Sequence, residues 1–117
     1  MKRNNIIQEK SFAFAVEIVE LCQHLVNDKK QYDIGRQLLR SGTSIGANVE
    51  EAIGGQSKRD FFAKLTISYK EARETHYWLR LLMKTKIIEE QRGKPLLKSC
   101  EELLRIIGSI QKTIRER

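Results

Sequence analysis

The stretch PLLKSCEELLRIIGSIQKTI, Pro95 to Ile114, places Leu96, Cys100, Leu103, Ile107, Ile110 and Ile114 at successive intervals of 4, 3, 4, 3 and 4. A strand would alternate every second residue; this run marks one face of a helix with a period of 3.5. Leu97 and Leu104 widen the face. Proline in a first helical turn gives up no hydrogen bond, because its N–H would have had no intrahelical partner. The pattern therefore predicts a helix over 95–115, preceded by a turn at 89–94 that contains Gly93. A 3.5-residue repeat is satisfied by neighbouring helices crossing at about +20°, as in left-handed bundles.

The same period runs upstream. Phe61, Leu65, Ser68, Ala72, Thr75, Leu79 and Leu82 follow at 4, 3, 4, 3, 4 and 3, and predict a helix over 57–86. Ser57 and Asp60 supply an S-x-x-D start signal for it. Gly54-Gly55 ends the preceding helix, 32–53, as residues past a helix C-terminus do. The glycine pair is not a phosphate loop, since no strand precedes it and no GK[ST] follows. Within 32–53, Ile34, Leu38, Ser41, Ile45, Asn48 and Ala52 form the seam. Gly35, Gly42 and Gly46 each cost a helix about 1 kcal/mol relative to Ala; tight packing inside the bundle accounts for them, the alternative being close contact with a ligand or subunit. A polar turn at 27–31 separates this segment from a first helix over 11–27. There Phe14, Ile18, Leu21 and Leu25 make one stripe, while Phe12, Val16, Val19 and Val26 lie elsewhere on the circumference. A helix apolar on more than one side is covered on more than one side, by its own bundle and by a neighbour such as another subunit.

Short links place consecutive helices antiparallel. The expected fold is all-α, an up-and-down antiparallel four-helix bundle forming a single domain over residues 1–117. Residues 1–8 and 115–117 are expected to be loose.

The chain has 117 residues, a net charge of +7 and a sequence pI near 9.6. Hydrophobic residues are 40% and charged residues 32%, a globular rather than disordered balance. A basic chain attracts polyanions such as RNA, DNA or an anionic membrane face, and basicity also serves solubility. No leader-like apolar region and no run of about 18 apolar residues is present, so a cytoplasmic location, reduced thiols and no membrane association are expected. Cys22 and Cys100 sit among apolar residues at helical spacing and read as core thiols.

Enzyme readings lack parts. His24 and His76 are isolated; there is no H-E-x-x-H and no C-x-x-C. Glu74 and His76 are two apart and point to different helix faces, unlike the Glu-x-x-His pairs of di-iron bundles. No catalytic residue, metal or cofactor is expected. The third helix offers something sharper. Lys70, Arg73, Tyr77, Arg80 and Lys84 are spaced 3, 4, 3 and 4 and fall within an arc about 80° wide, roughly opposite the Phe61–Leu82 seam. Lys and Arg neutralise phosphates, and an exposed tyrosine stacks on unpaired bases. Glu74 flanks the arc and weakens it, and a solvated helix face would show the same stripe. Arg36, Arg40, Lys58 and Arg59 are possible extensions. Ser41, Asn48, Ser68 and Thr75 occupy seam positions and describe a polar layer, with Asn48 a buried amide suited to fixing register or oligomer state.

Arg40, Ser41, Ser44, Ile45, Asn48, Val49 and Glu51 fill an R-S-x-x-S-[IV]-x-x-N-[IV]-x-E element, and Ser57, Asp60, Phe61 and Leu65 an S-x-x-[DE]-F-x-x-x-L element. On these residues the chain resembles the four-helix bundle proteins named after open reading frames inside intervening sequences of bacterial 23S ribosomal RNA genes. A later I-A-x-G-S-x-x-E element is partly kept: Ile67 and Glu74 match, while Ser68, Lys70 and Glu71 replace the Ala, Gly and Ser. The resemblance implies a bundle that assembles into a closed ring, typically a pentamer, without enzymatic activity. It also implies kinship with the accessory proteins of diversity-generating retroelements, basic rings that bind nucleic acid and a reverse transcriptase.

The functional expectation is a nonenzymatic, homo-oligomeric protein that binds nucleic acid, RNA in preference to DNA, through the third-helix stripe. The alternative is an interaction scaffold whose basic face meets an acidic protein partner.

Overall fold

A computed structural model describes the backbone of residues 2–116 and the side chains of residues 6–116. Four helices make up the fold: α1 (Lys2–Asn27), α2 (Tyr32–Ile53), α3 (Lys58–Lys84) and α4 (Glu90–Arg115). Each packs on the next, and α4 returns to α1, so α1 and α3 occupy opposite corners of a square. This is an antiparallel four-helix bundle about 46 Å long. The predicted seams turn inward. Leu65, Ser68, Ala72, Thr75, Leu79 and Leu82 of α3 and Leu96, Cys100, Leu103, Ile107 and Ile110 of α4 are all buried. They meet Phe14, Ile18, Leu21 and Leu25 of α1 in one apolar core.

Three differences have physical causes. First, α1 begins nine residues before the predicted start. Its seam runs Ile7, Ser11, Phe14, Ile18, Leu21, Leu25 at regular spacing, and Ile7 and Ser11 are both buried. Ser11 donates to the Gln8 carbonyl at 3.2 Å, so its hydroxyl sits in the core at little cost. The described part of residues 1–8 is therefore docked helix rather than a loose end. Second, α4 begins at Glu90, not at Pro95, and the turn shifts to 85–89. Pro95 stands in the second turn; the carbonyl it leaves without a donor belongs to exposed Gln91, which faces water. Third, the Gly54-Gly55 corner uses no left-handed glycine: Gly54 caps α2 at φ −80°. The left-handed positions are Lys30 and Lys86. Ser57 caps α3 as expected, accepting from the Asp60 N–H at 3.1 Å.

The α2 glycines line its approach to α1. A Cβ on Gly35 would lie 3.2 Å from Val26 Cγ2, and one on Gly46 3.3 Å from the Ser11 carbonyl oxygen. Val26 is thus partly covered by its own bundle. Phe12, Val16 and Val19 are not; Phe12 is 68% exposed.

Candidate nucleic-acid interface

Charge is distributed unevenly among the helices. α3 carries seven Lys and Arg against three Asp and Glu, and α4 six against three. α1 and α2 together carry five against six. The net charge of +7 is therefore borne by the α3–α4 side.

Lys70, Arg73, Tyr77, Arg80 and Lys84 are all exposed on one side of α3. Over the fourteen residues from Lys70 to Lys84 the row extends about 21 Å along the helix. Lys70, Arg73 and Lys84 form no ion pair with any described carboxylate. Tyr77 is half exposed and meets Trp78 edge-on, with ring centroids 5.2 Å apart. The Arg80 guanidinium lies 5.8 Å from the Tyr77 ring centroid. Arg59 and Lys58 are exposed at the α3 N-terminus, beyond the end of this row.

Arg40 and Arg36 stand apart from it. Arg40 donates to Glu71 at 2.9 Å and to Glu74, and Arg36 pairs with Asp33 at 2.8 Å. Arg40 ties α2 to α3 instead of extending the cationic row. The hydrogen bond from Arg40, joined by one from Trp78 Nε1 at 3.0 Å, holds the Glu74 carboxyl below the usual carboxylate range. The same bond raises Arg40. Glu74, expected to weaken the stripe, is thus matched by Arg40.

The polar layer lies between α2 and α3. The Thr75 hydroxyl is 2.9 Å from Ser41 Oγ, and Ser68 donates to the Ile45 carbonyl across the helix pair at 2.8 Å. All three residues are fully buried, and no buried polar side-chain atom among the described residues lacks a partner. Asn48 departs from its expected place. It is half buried, and its amide donates to the Ser44 carbonyl of its own helix at 2.8 Å. Gly42 and Val49 turn inward on α2, which rotates Asn48 off the seam.

Burial pushes the Cys22 thiol up to about 11 and the Cys100 thiol up to about 12, with Glu101 adding to the latter. Both are core thiols in the protonated state. Among the described residues no group of His, Cys, Asp and Glu is arranged to hold a metal ion, and no helix is long and apolar enough to cross a membrane.

α4 adds cations that the stripe on α3 alone does not include. Lys98, Arg105 and Lys112 are exposed and recur every seven residues, so they occupy one register position on its outer side. That interval was visible in the chain; the neighbourhood of α3 and α4 was not. Also missed was His76, which lies 3.0 Å from Glu101 of α4 through Nε2 and accepts from Arg80 through Nδ1.

The profile described as 23S rRNA-intervening sequence protein matches residues 3–109. A crystal structure from Bacteroides thetaiotaomicron, described as a protein of unknown function from the S23 ribosomal protein family, is 44% identical in sequence. It superposes with a TM-score of 0.91, over 94% of this chain and 98% of that one. No curated protein matches the chain.

Proposed function

This chain belongs to the 23S rRNA-intervening sequence protein family, and from that premise we propose that it is a nonenzymatic, self-associating, cytoplasmic protein that binds nucleic acid through its α3–α4 face. The observation that carries the reading is the segregation of the net positive charge onto α3 and α4, with Glu71 and Glu74 matched by Arg40. Cations without carboxylate partners displace counterions from phosphates, which drives binding at modest salt. Tyr77 favours RNA and other single strands, because an exposed ring stacks on bases that a duplex hides.

Self-association is proposed from α1. Phe12, Val16 and Val19 make an exposed stripe beside α2, where Leu39 adds to it. A closed ring, of five subunits by the family resemblance, would cover this stripe and repeat the basic face around an axis, raising avidity without new contacts.

The test is a salt titration of single-stranded RNA binding. The log–log slope is expected to be about −0.7 per phosphate contact. Replacing Arg73, Arg80 and Lys84 together by Ala flattens that slope and leaves helix content unchanged. Wild-type protein that binds neither RNA nor DNA at low salt refutes the reading and leaves an acidic protein as the partner of the basic face.

A further inference from the structure

We propose that His76, backed by Glu101, is a positioning residue of the basic face that holds Arg80 as a phosphate clamp. This rests on the nucleic-acid reading above and names the device that tunes it. Arg80 Nε donates to His76 Nδ1 at 3.1 Å, and His76 Nε2 stands 3.0 Å from Glu101 Oε2 on α4. These contacts admit one proton arrangement. Arginine has no acceptor, so Nδ1 is the bare nitrogen; a carboxylate only accepts, so Nε2 carries the hydrogen. His76 is thus neutral while it holds Arg80, and Glu101 selects its tautomer.

The consequence lies in the guanidinium. With Nε engaged and the Tyr77 ring alongside, the two Nη groups remain as a planar fork that matches two phosphate oxygens. Lys70, Arg73 and Lys84 have no comparable tether in the described structure. An arm that is already ordered loses less entropy on binding than a free one.

Protonating Nδ1 would set N–H against N–H and release Arg80. The charges around His76 are Arg73 and Arg80 one turn away on α3, and Glu101 on α4 with Lys98 and Arg105 a turn to either side. Tyr77 is its neighbour in the chain. On the α2 flank, Arg40 is matched by Glu71 and Glu74.

The experiment is a double-mutant cycle. Wild type, His76→Phe, Arg80→Ala and the double variant are titrated with a mixed-sequence single-stranded RNA at low salt and pH 8. At pH 8, Arg80→Ala weakens binding about fivefold and His76→Phe about threefold, the scale of exposed charge contacts. The double variant stays near fivefold rather than reaching fifteenfold, since His76 acts through Arg80. Penalties that multiply overturn the proposal. Should His76→Phe lose helix content, His76→Leu takes its place: it too removes the Nδ1 acceptor, with the same expected pattern. A wild type that binds no RNA refutes the parent reading instead, and inorganic phosphate then decides this one. Phosphate-induced NMR shifts of the Arg80 side chain that are lost in His76→Phe support the clamp; equal shifts in both proteins overturn it.

Discussion

Gly42 of α2 rests directly against Ile18 of α1: a Cβ at Gly42 would lie 2.7 Å from Ile18 Cγ2 and 2.9 Å from Cγ1. Ile18 is fully buried, so it has nowhere to retreat. Helix propensity favours alanine over glycine by about 1 kcal/mol, while overpacking a core costs about 1–3 kcal/mol. Gly42→Ala is therefore expected to destabilise the bundle. Gly108 of α4 is the control, because a Cβ there meets only Tyr69 Cε2 at 3.7 Å, an ordinary contact. Gly108→Ala should raise stability by up to about 1 kcal/mol. Urea midpoints that move the same way for both variants would remove the packing explanation.

Lys86 ends α3 in the left-handed region at φ 63°. The Ile87 N–H reaches the Leu82 carbonyl and the Lys86 N–H the Met83 carbonyl, each at 3.0 Å. That pair of bonds defines a Schellman ending, whose left-handed position usually holds glycine. A residue with a Cβ pays about 1–2 kcal/mol in that conformation. Lys86 is exposed, so Lys86→Gly should stabilise the protein by roughly 1 kcal/mol, read as a higher urea midpoint. A lower midpoint would mean that the lysine side chain contributes something its exposure hides.

The fold was legible because three of the four seams obey one period without interruption. Where the helix starts were misplaced, one or two atypical residues broke the pattern. Ser11 hid the continuity from Ile7 to Phe14, and Gly93 with Pro95 made the first turn of α4 look like a loop. The chain also cannot say which helix faces which across the square. Arg40 therefore reads in the sequence as an extension of the stripe, although α2 brings it against Glu71 and Glu74. For the same reason the α3 row was readable, whereas its continuation through Lys98, Arg105 and Lys112 required the α3–α4 pairing.

The Arg40–Glu74 bond predicts a response to acid. Glu74 has its carboxyl lowered in the folded protein, chiefly by the Arg40 hydrogen bond. A depressed carboxylate adds stability that is fully present above its unfolded pKa, about 4.3, and is lost as pH falls through the folded value. Both side chains are partly exposed, so the contribution is about 0.2–1 kcal/mol. Glu74→Gln should lose that amount at pH 7. The gap to wild type should close as pH falls below about 4. A gap that stays constant from pH 7 to pH 2 would assign the loss to packing or to the Trp78 bond rather than to charge.

Assembly is tested most directly on α1. Phe12, Val16 and Val19 share the flank of α1 that lies beside α2, and all three are exposed in the single chain. Surface substitutions change stability by no more than about 0.5 kcal/mol. Replacing Phe12 and Val16 together by Ser should then leave helix content and the monomer's unfolding intact. If the stripe is the contact between copies, the mass seen by light scattering drops from a multiple of 13.6 kDa to that value. RNA affinity should fall with it, although no residue of the basic face has changed, because linked copies bind with an avidity that a single copy lacks. A double variant that keeps the wild-type mass would place the contact between copies elsewhere. One that loses mass but keeps RNA affinity would separate assembly from binding, and the basic face would then act one subunit at a time.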